Sequence, residues 1–446
     1  MAGAYSAYGI HKGSDAGKGG SFQAQDKLPF TGKAFRMPFG RSSLFFCPYE
    51  QAKQRRETLE LELNGKLLGR VVNYMMDRLD KGMRSGIVDC RMFSQHAAFF
   101  YLGTLLFGDA FVTWPKATCY EELLMEIAKD ASFWASHTIK PFWKKEFWRF
   151  QSLCTELKTL TGELMQQCRK NDKIYYGSGQ MCYGKTASFS KKDGIFSPRD
   201  FLQDQLSLLE IDSHRYSAEE LCGNIMGIMF HGCLSMAGLI SAVLERLATN
   251  PKIQHKVYTQ ITMLRQVSAK ESHGAVNMPL LLATIYESSR VLATGLVLQI
   301  CSLKDDLDLK SGVTIPAGAV LMVPVQLLHM EKSNWGSDAE KFKPYRFLSK
   351  SRESSNLMQE SFVPETTEEV NATEGPLILN DPTNNLAFLP FGSGVCACAC
   401  QKPVITGVGA MLASLLASYE VRASPLGLTK MVCSSFVGFI PNSTLL

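Results

Sequence analysis

From Glu50 to Leu79, apolar residues recur at helical spacing among charged ones (EQAKQRRETLELELNGKLLGRVVNYMMDRL), which predicts helices with one apolar stripe and solvated faces. The same pattern returns from Cys119 to Trp134 and from Trp148 to Asn171, and Gly177 to Lys192, rich in Gly, Ser and Lys, reads as the next connecting loop. Ser217-Ala-Glu-Glu220 matches a capping box, so a long apolar helix is expected to start there. It ends at Asn250-Pro251, because the residue before a proline is pushed out of the helical region. Within it, Leu221 to Leu244 holds no Asp, Glu, Lys or Arg and is long enough to span a bilayer, so a membrane span competes with a buried core helix. A second helix is expected over Met278 to Ala293, and alternation in Val313 to Val323 around Ile315-Pro-Ala-Gly318 predicts a hairpin. Ser349 to Gly375 is polar and without period, a surface insertion, and Val404 to Leu416 reads as a last apolar helix.

Composition narrows the class without naming a chemistry. With 46% hydrophobic and 20% charged residues and a net charge of +5 over 446 residues, the chain is a globular protein without the basic excess that nucleic acid binding requires. Thirteen cysteines, an odd number without framework spacing, fit thiols in a reducing compartment better than a disulfide scaffold. Residues 1–27 carry no apolar signal segment and read as a flexible tail.

The chemistry concentrates in Ala387-Phe-Leu-Pro-Phe-Gly-Ser-Gly-Val-Cys-Ala-Cys-Ala-Cys-Gln401, a glycine-containing loop that runs into the last helix. Unpaired N–H groups at a helix start favour a thiolate, the form that ligates metal. Taken alone, C-x-C-x-C admits a thiol-metal cluster, a redox site or neither. Four segments in one order carry a resemblance: His231-Gly-Cys-Leu-Ser235, Glu287-Ser-Ser-Arg290, Phe342-Lys-Pro-Tyr-Arg-Phe347 and the Phe391 to Cys400 loop. In these the chain resembles the cytochrome P450 family, the haem-thiolate monooxygenases, over nearly its whole length.

The resemblance implies a mainly α fold with small β-sheets, a single large domain over residues 28–446 with 349–375 as its insertion. It puts the aromatic of the haem loop at Phe391, its turn glycine at Gly394 and the axial thiolate to the iron of haem b at Cys398, with Cys396 and Cys400 as rival ligands. Glu287, Arg290 and Arg346 correspond to a buried network that supports this loop. Arg56, in Ala52-Lys-Gln-Arg-Arg56, stands where the family places an arginine against a haem propionate, although alanine replaces the usual tryptophan; the alternative is a solvated basic helix face.

Departures gather around the same cofactor. Gly232 keeps the glycine expected where haem and oxygen come close, but Leu234 replaces the acid and Ser235 the threonine that together organise proton delivery. His231 lies one turn before Ser235, so it is a replacement proton donor, a sixth iron ligand, or a hydrogen-bonded core histidine. Cys396 stands for a propionate-binding arginine and Cys400 for a glycine, changes expected to weaken haem retention. No apolar anchor, proline-rich hinge or early strand is recognisable before Phe45, so a short N-terminus and an exposed sheet edge are expected.

The function implied is insertion of one oxygen atom from O2 into a small hydrophobic substrate of steroid, terpenoid or fatty-acid type. Electrons come from NADPH through a flavoprotein reductase, at the cytosolic face of the endoplasmic reticulum, with a membrane surface as a further partner. Around His231 and in Lys310-Ser-Gly-Val-Thr-Ile-Pro-Ala-Gly318 the chain looks most like plant members of secondary metabolism. The alternatives are a hydroperoxide isomerase or dehydratase on the same fold, and a non-catalytic haem-binding scaffold.

Overall fold

The structure is a computed structural model that describes residues 24–25, 39–40, 43, 56, 87–135, 142–177, 217–267, 278–292, 298–303, 306–309, 312–350, 377–393, 397–423 and 436–441. Among the described residues, its main helices are α1 (Cys90–Phe107), α2 (Ala117–Ala135), α3 (Lys145–Gly177), α4 (Ala218–Thr249), α5 (Pro251–Val267), α6 (Pro279–Val291), the short α7 (Val325–Met330) and α8 (Gln401–Ser418). Arg56 is the one described residue of the stretch from Glu50 to Leu79, and the loop expected after Gly177 and the insertion after Lys350 lie outside the described residues.

Local chemistry sets the helix ends. Asp89 caps α1, its carboxylate accepting from the N–H groups of Arg91 (2.8 Å) and Met92 (3.3 Å). At α4 the serine half of the expected capping box is in place, Ser217 Oγ accepting from the Glu220 N–H at 3.2 Å. Asn250 closes the same helix, its side-chain amide donating to the Arg246 carbonyl at 2.8 Å. The last helix begins three residues earlier than its apolar pattern suggests, with Pro403 in the first turn, where a missing N–H costs nothing.

Among the described residues, α4 alone is long and apolar enough to cross a membrane. It is instead the centre of the core: Met226, Met229, Cys233, Ile240, Val243 and Leu244 are buried in one cluster with α1, α2, α3 and α8. Its tightest approach is to the Phe39 backbone, whose carbonyl oxygen a Cβ on Gly223 would overlap; against α1, a Cβ on Gly232 would come within 2.8 Å of Leu102 Cδ1. Fitting a helix so closely requires glycine at the crossing.

Among the described residues, four small antiparallel sheets complete the fold. The first orders β1 (Ala24–Gln25), β3 (Leu298–Leu303) and β6 (Val320–Pro324); the second orders β2 (Ile87–Asp89), β10 (Phe436–Pro441) and β9 (Tyr419–Ala423). Two-stranded pairs join β4 (Leu307–Asp308) to β5 (Thr314–Ile315) and β7 (Leu348–Lys350) to β8 (Leu377–Leu379).

The hairpin expected around Ile315-Pro-Ala-Gly318 is not one. The turn is real, with Gly318 at φ +80° and Ala319 N–H donating to the Pro316 carbonyl at 3.1 Å, but its flanks enter different sheets. Ile315 pairs with Leu307, whereas Val320 to Pro324 pair with Ser302 to Leu298. Asp306 holds the turn from outside through the Ala317 N–H at 2.7 Å, so the segment links two ladders. Within the stretch expected as a tail, Ala24 and Gln25 pair with Leu303 and Ser302, which covers one edge of β3. The early strand that the sequence did not reveal is therefore present, in a piece too short for a periodic signal.

Candidate functional site

The cysteine loop is built from its backbone. Gly392 adopts φ +74°, a conformation that favours glycine, and its N–H donates to the Leu389 carbonyl at 3.1 Å. Beyond this turn the chain comes back, so that Cys398 N–H donates to the Phe391 carbonyl at 2.8 Å. Cys398 is exposed just ahead of α8, while Cys400 is half-buried at its N-cap; Gly394 and Cys396 lie outside the described residues. Phe391 packs half-buried against the main core, which anchors the near end of the loop.

Two side chains from distant parts of the chain grip this region. Arg56 Nη1 donates to the Ala397 carbonyl at 2.8 Å, one residue before Cys398. Its Nε is also buried and meets no hydrogen-bond partner among the described residues. Tyr101, fully buried on α1, donates its hydroxyl to the Pro403 carbonyl at 2.7 Å in the first turn of α8. Its ring fills a groove that Gly407 opens, since a Cβ there would lie 2.2 Å from the ring. Burial, and after it the Cys400 sulfur, push the Tyr101 phenol well above its ordinary range, so it stays a donor.

On α4, His231 and Ser235 are exposed one turn apart, the two exposed positions in a stretch from Leu221 to Ile240 that is otherwise buried or half-buried, and Leu234 packs half-buried against the core. The rings of Phe39 and Phe230 meet His231 edge-on, with centroids 6.1 and 5.3 Å away. The reading of His231 as a core histidine is therefore corrected: the side chain is exposed. Within the protein, the close approach that Gly232 permits is that of Leu102 on α1.

Glu287, Arg290 and Arg346 come together as expected. Arg290 Nε and Nη2 donate to the two Glu287 carboxylate oxygens at 2.8 and 2.9 Å, and Arg346 Nε donates to Oε1 at 2.9 Å. Arg290 gives two further N–H groups to the carbonyls of His329 (2.6 Å) and Lys341 (3.2 Å), and its guanidinium lies 4.9 Å from the Trp335 ring centroid. Glu287 and Arg290 are both 0% exposed, so a network with each partner supplied is the condition for burying the charges at all. A cavity of about 500 Å³ opens beside it, lined by Trp335, Arg346, Asn380, Asp381 and Leu386, remote in sequence from Cys398, His231 and Ser235, none of which lines it.

Sequence reasoning missed Tyr101 and His329. A lone tyrosine and a lone histidine in apolar helices carry no local signal; only Gly407, a glycine inside an apolar helix, hinted at a close neighbour. The residues present fit the haem that the resemblance implies: an exposed thiol on a tied loop, and an arginine beside it with one buried nitrogen left over for a carboxylate.

Comparison with known proteins bears on the family. The family profile described as Cytochrome P450 matches residues 16–443. Cytochrome P450 3A6 of Oryctolagus cuniculus is 29% identical over 163 residues, which is 35% of this chain and 32% of that protein. Cytochrome P450 734A5 of Oryza sativa subsp. japonica is 23% identical over 209 residues, 47% of this chain and 34% of that one. The matched stretches thus span about a third of the curated relatives' own length, and these come from mammals as well as plants. In structure the chain is similar to retinoic acid bound cyanobacterial CYP120A1, with a TM-score of 0.64 and 17% identity, over 94% of this chain and 84% of that one.

Proposed function

The chain belongs to the cytochrome P450 family, a family of haem-thiolate monooxygenases, and from that premise we propose that it inserts one oxygen atom of O2 into a small hydrophobic substrate. Cys398 is the iron ligand, chosen over Cys396 and Cys400, and Arg56 takes a haem propionate with the nitrogen it does not give to Ala397. The observation that carries the reading is the exposed Cys398 on a loop closed by its own N–H to Phe391. Haem bound through a thiolate supplies oxygen activation, because the sulfur pushes electron density towards the iron and favours O–O cleavage.

The protein's own residues have three tasks. Tyr101 and Arg56 hold the backbone on either side of Cys398. Leu234 relays no proton, so Ser235 Oγ and the His231 imidazole, one turn apart and exposed, take over proton transfer. Glu287, Arg290 and Arg346 support the loop without touching a reacting atom. The substrate is of steroid, terpenoid or fatty-acid type, electrons arrive from NADPH through a flavoprotein reductase, and the protein works at the cytosolic face of the endoplasmic reticulum on a membrane surface. The domain extends over residues 28–446 and takes in the Ala24–Gln25 strand before them.

The test is the absorption spectrum of the haem-supplied protein, oxidised and then reduced under carbon monoxide. A red-shifted band that Cys398→Ala abolishes is expected. A protein that takes up no haem, or a Cys398→Ala variant with an unchanged band, refutes the ligand. A histidine-capped iron that refuses carbon monoxide makes His231 a sixth ligand in place of a proton donor. Leu234 at the position of the acid favours a second reading, hydroperoxide isomerase or dehydratase, and turnover of a lipid hydroperoxide without NADPH is its mark.

A further inference from the structure

His329, on α7, is 0% exposed and lies in the second core cluster between Trp335 and Phe388. Its two ring nitrogens face backbone groups of two other elements. Nε2 is 2.9 Å from the Leu389 nitrogen, whose N–H donates to it. A nitrogen that accepts carries no proton, so the ring proton sits on Nδ1, which donates to the Arg290 carbonyl at 3.1 Å. The backbone carbonyl of His329 in turn accepts from Arg290 Nη1. Leu389 opens the cysteine loop: its carbonyl holds Gly392 N–H, and the Phe391 carbonyl holds Cys398 N–H. An unbroken path of hydrogen bonds and short backbone segments therefore runs from Arg290 through the imidazole to Cys398.

We propose that His329 is a positioning residue for Cys398, a neutral imidazole that ties the buried Glu287–Arg290–Arg346 network to the thiol-bearing loop, and that protonation of this ring releases the loop. A second proton would fall on Nε2 and set N–H against the Leu389 N–H. The charged groups around the ring give that proton no counterion. From α6 it faces the Arg290 guanidinium, and both oxygens of Glu287 are taken by Arg290, Arg346 and the Lys343 N–H. From the Trp335 to Phe347 segment it meets an indole, with Asp338 turned to Arg346 and Lys343; the loop offers Phe388 and Leu389. Burial above all, offset in part by the bond to the Arg290 carbonyl and reinforced by the Arg290 charge, lowers the imidazole to about 4. The unprotonated tether therefore holds at neutral pH and weakens as pH falls from about 6.5 towards 4.

The consequence for haem rests on Cys398 being the ligand, whereas the tether itself does not. The experiment therefore reads two quantities in the full chain, amide-exchange protection across Leu386 to Phe391 and the rate of haem release, each between pH 7 and 4. Wild type is compared with His329→Gln, whose Oε1 can accept the Leu389 N–H without titrating, and with His329→Leu, which leaves that N–H without an acceptor. Wild type should lose protection and release haem on the order of tenfold faster across this range, and the Gln variant should not. The Leu variant should behave at pH 7 as wild type does at pH 4. A Gln profile that superimposes on wild type, or full Leu389 protection in the Leu variant, overturns the proposal. A wild type that takes up no haem refutes the ligand assignment instead, and the exchange data still decide the tether.

Discussion

At the scale of single residues, the strongest constraint is Glu287, one carboxylate that accepts from two arginines and a backbone N–H in a fully buried setting. Glu287→Gln leaves Arg290 buried without its counterion, and equilibrium unfolding should show a loss of about 3–5 kcal/mol. Tyr101→Phe keeps the ring but strands the Pro403 carbonyl, and the same measurement should show a loss of about 1–2 kcal/mol. These two residues differ in how readily the sequence gives them away. Glu287 and Arg290 stand three apart on a helix, a spacing that puts them on one face before any fold is known. Tyr101 and Pro403 are joined across 302 positions, and nothing near either one announces the other.

At the scale of elements, glycines set how closely helices approach, and ion pairs link neighbouring helices. Gly407 lets α8 lie against the Tyr101 ring, so Gly407→Ala forces a ring or a helix to move and should cost about 1–3 kcal/mol, read as a lowered unfolding midpoint. Between α1 and α2, His96 Nδ1 lies 2.9 Å from Glu121 Oε2, and this hydrogen bond, opposed by burial and helped by the carboxylate's charge, raises the imidazole above 6.5. A histidine raised on folding adds stability that is complete below its unfolded value and is lost as pH rises through the folded one. The coupling between His96→Gln and Glu121→Gln in a double-mutant cycle should therefore be larger at pH 6 than at pH 8.5, and no difference would show that solvent screens the half-exposed pair. Helices were legible from apolar period and caps, α4 most of all. The strand partners on either side of Pro316 were not, because alternation marks a strand without saying which ladder it joins.

For the molecule as a whole, burial sorts the cysteines. Cys154 and Cys222 are raised by burial to about 12 and about 11, and Cys233 is raised for the same reason, whereas Cys119 and Cys398 are exposed. An alkylating reagent on the native chain should therefore modify Cys119 and Cys398 first among these five, and, with Cys398 as the proposed iron ligand, added haem should protect Cys398 and leave Cys119 reactive; peptide mass mapping reads both. The sequence by itself determined the helical character of the chain, the caps of α4, the pairing of Glu287 with Arg290, and the loop that presents Cys398. The first three rest on contacts within a turn or two, which spacing fixes, whereas the loop is marked by its resemblance to the haem loop of the cytochrome P450 family. Only the tertiary structure decided that Gly232 admits Leu102, that Arg56 holds the Ala397 carbonyl, and that His329 joins Arg290 to Leu389. Such contacts bridge residues far apart along the chain, and their partners are chosen by how the whole core packs, which no local pattern carries.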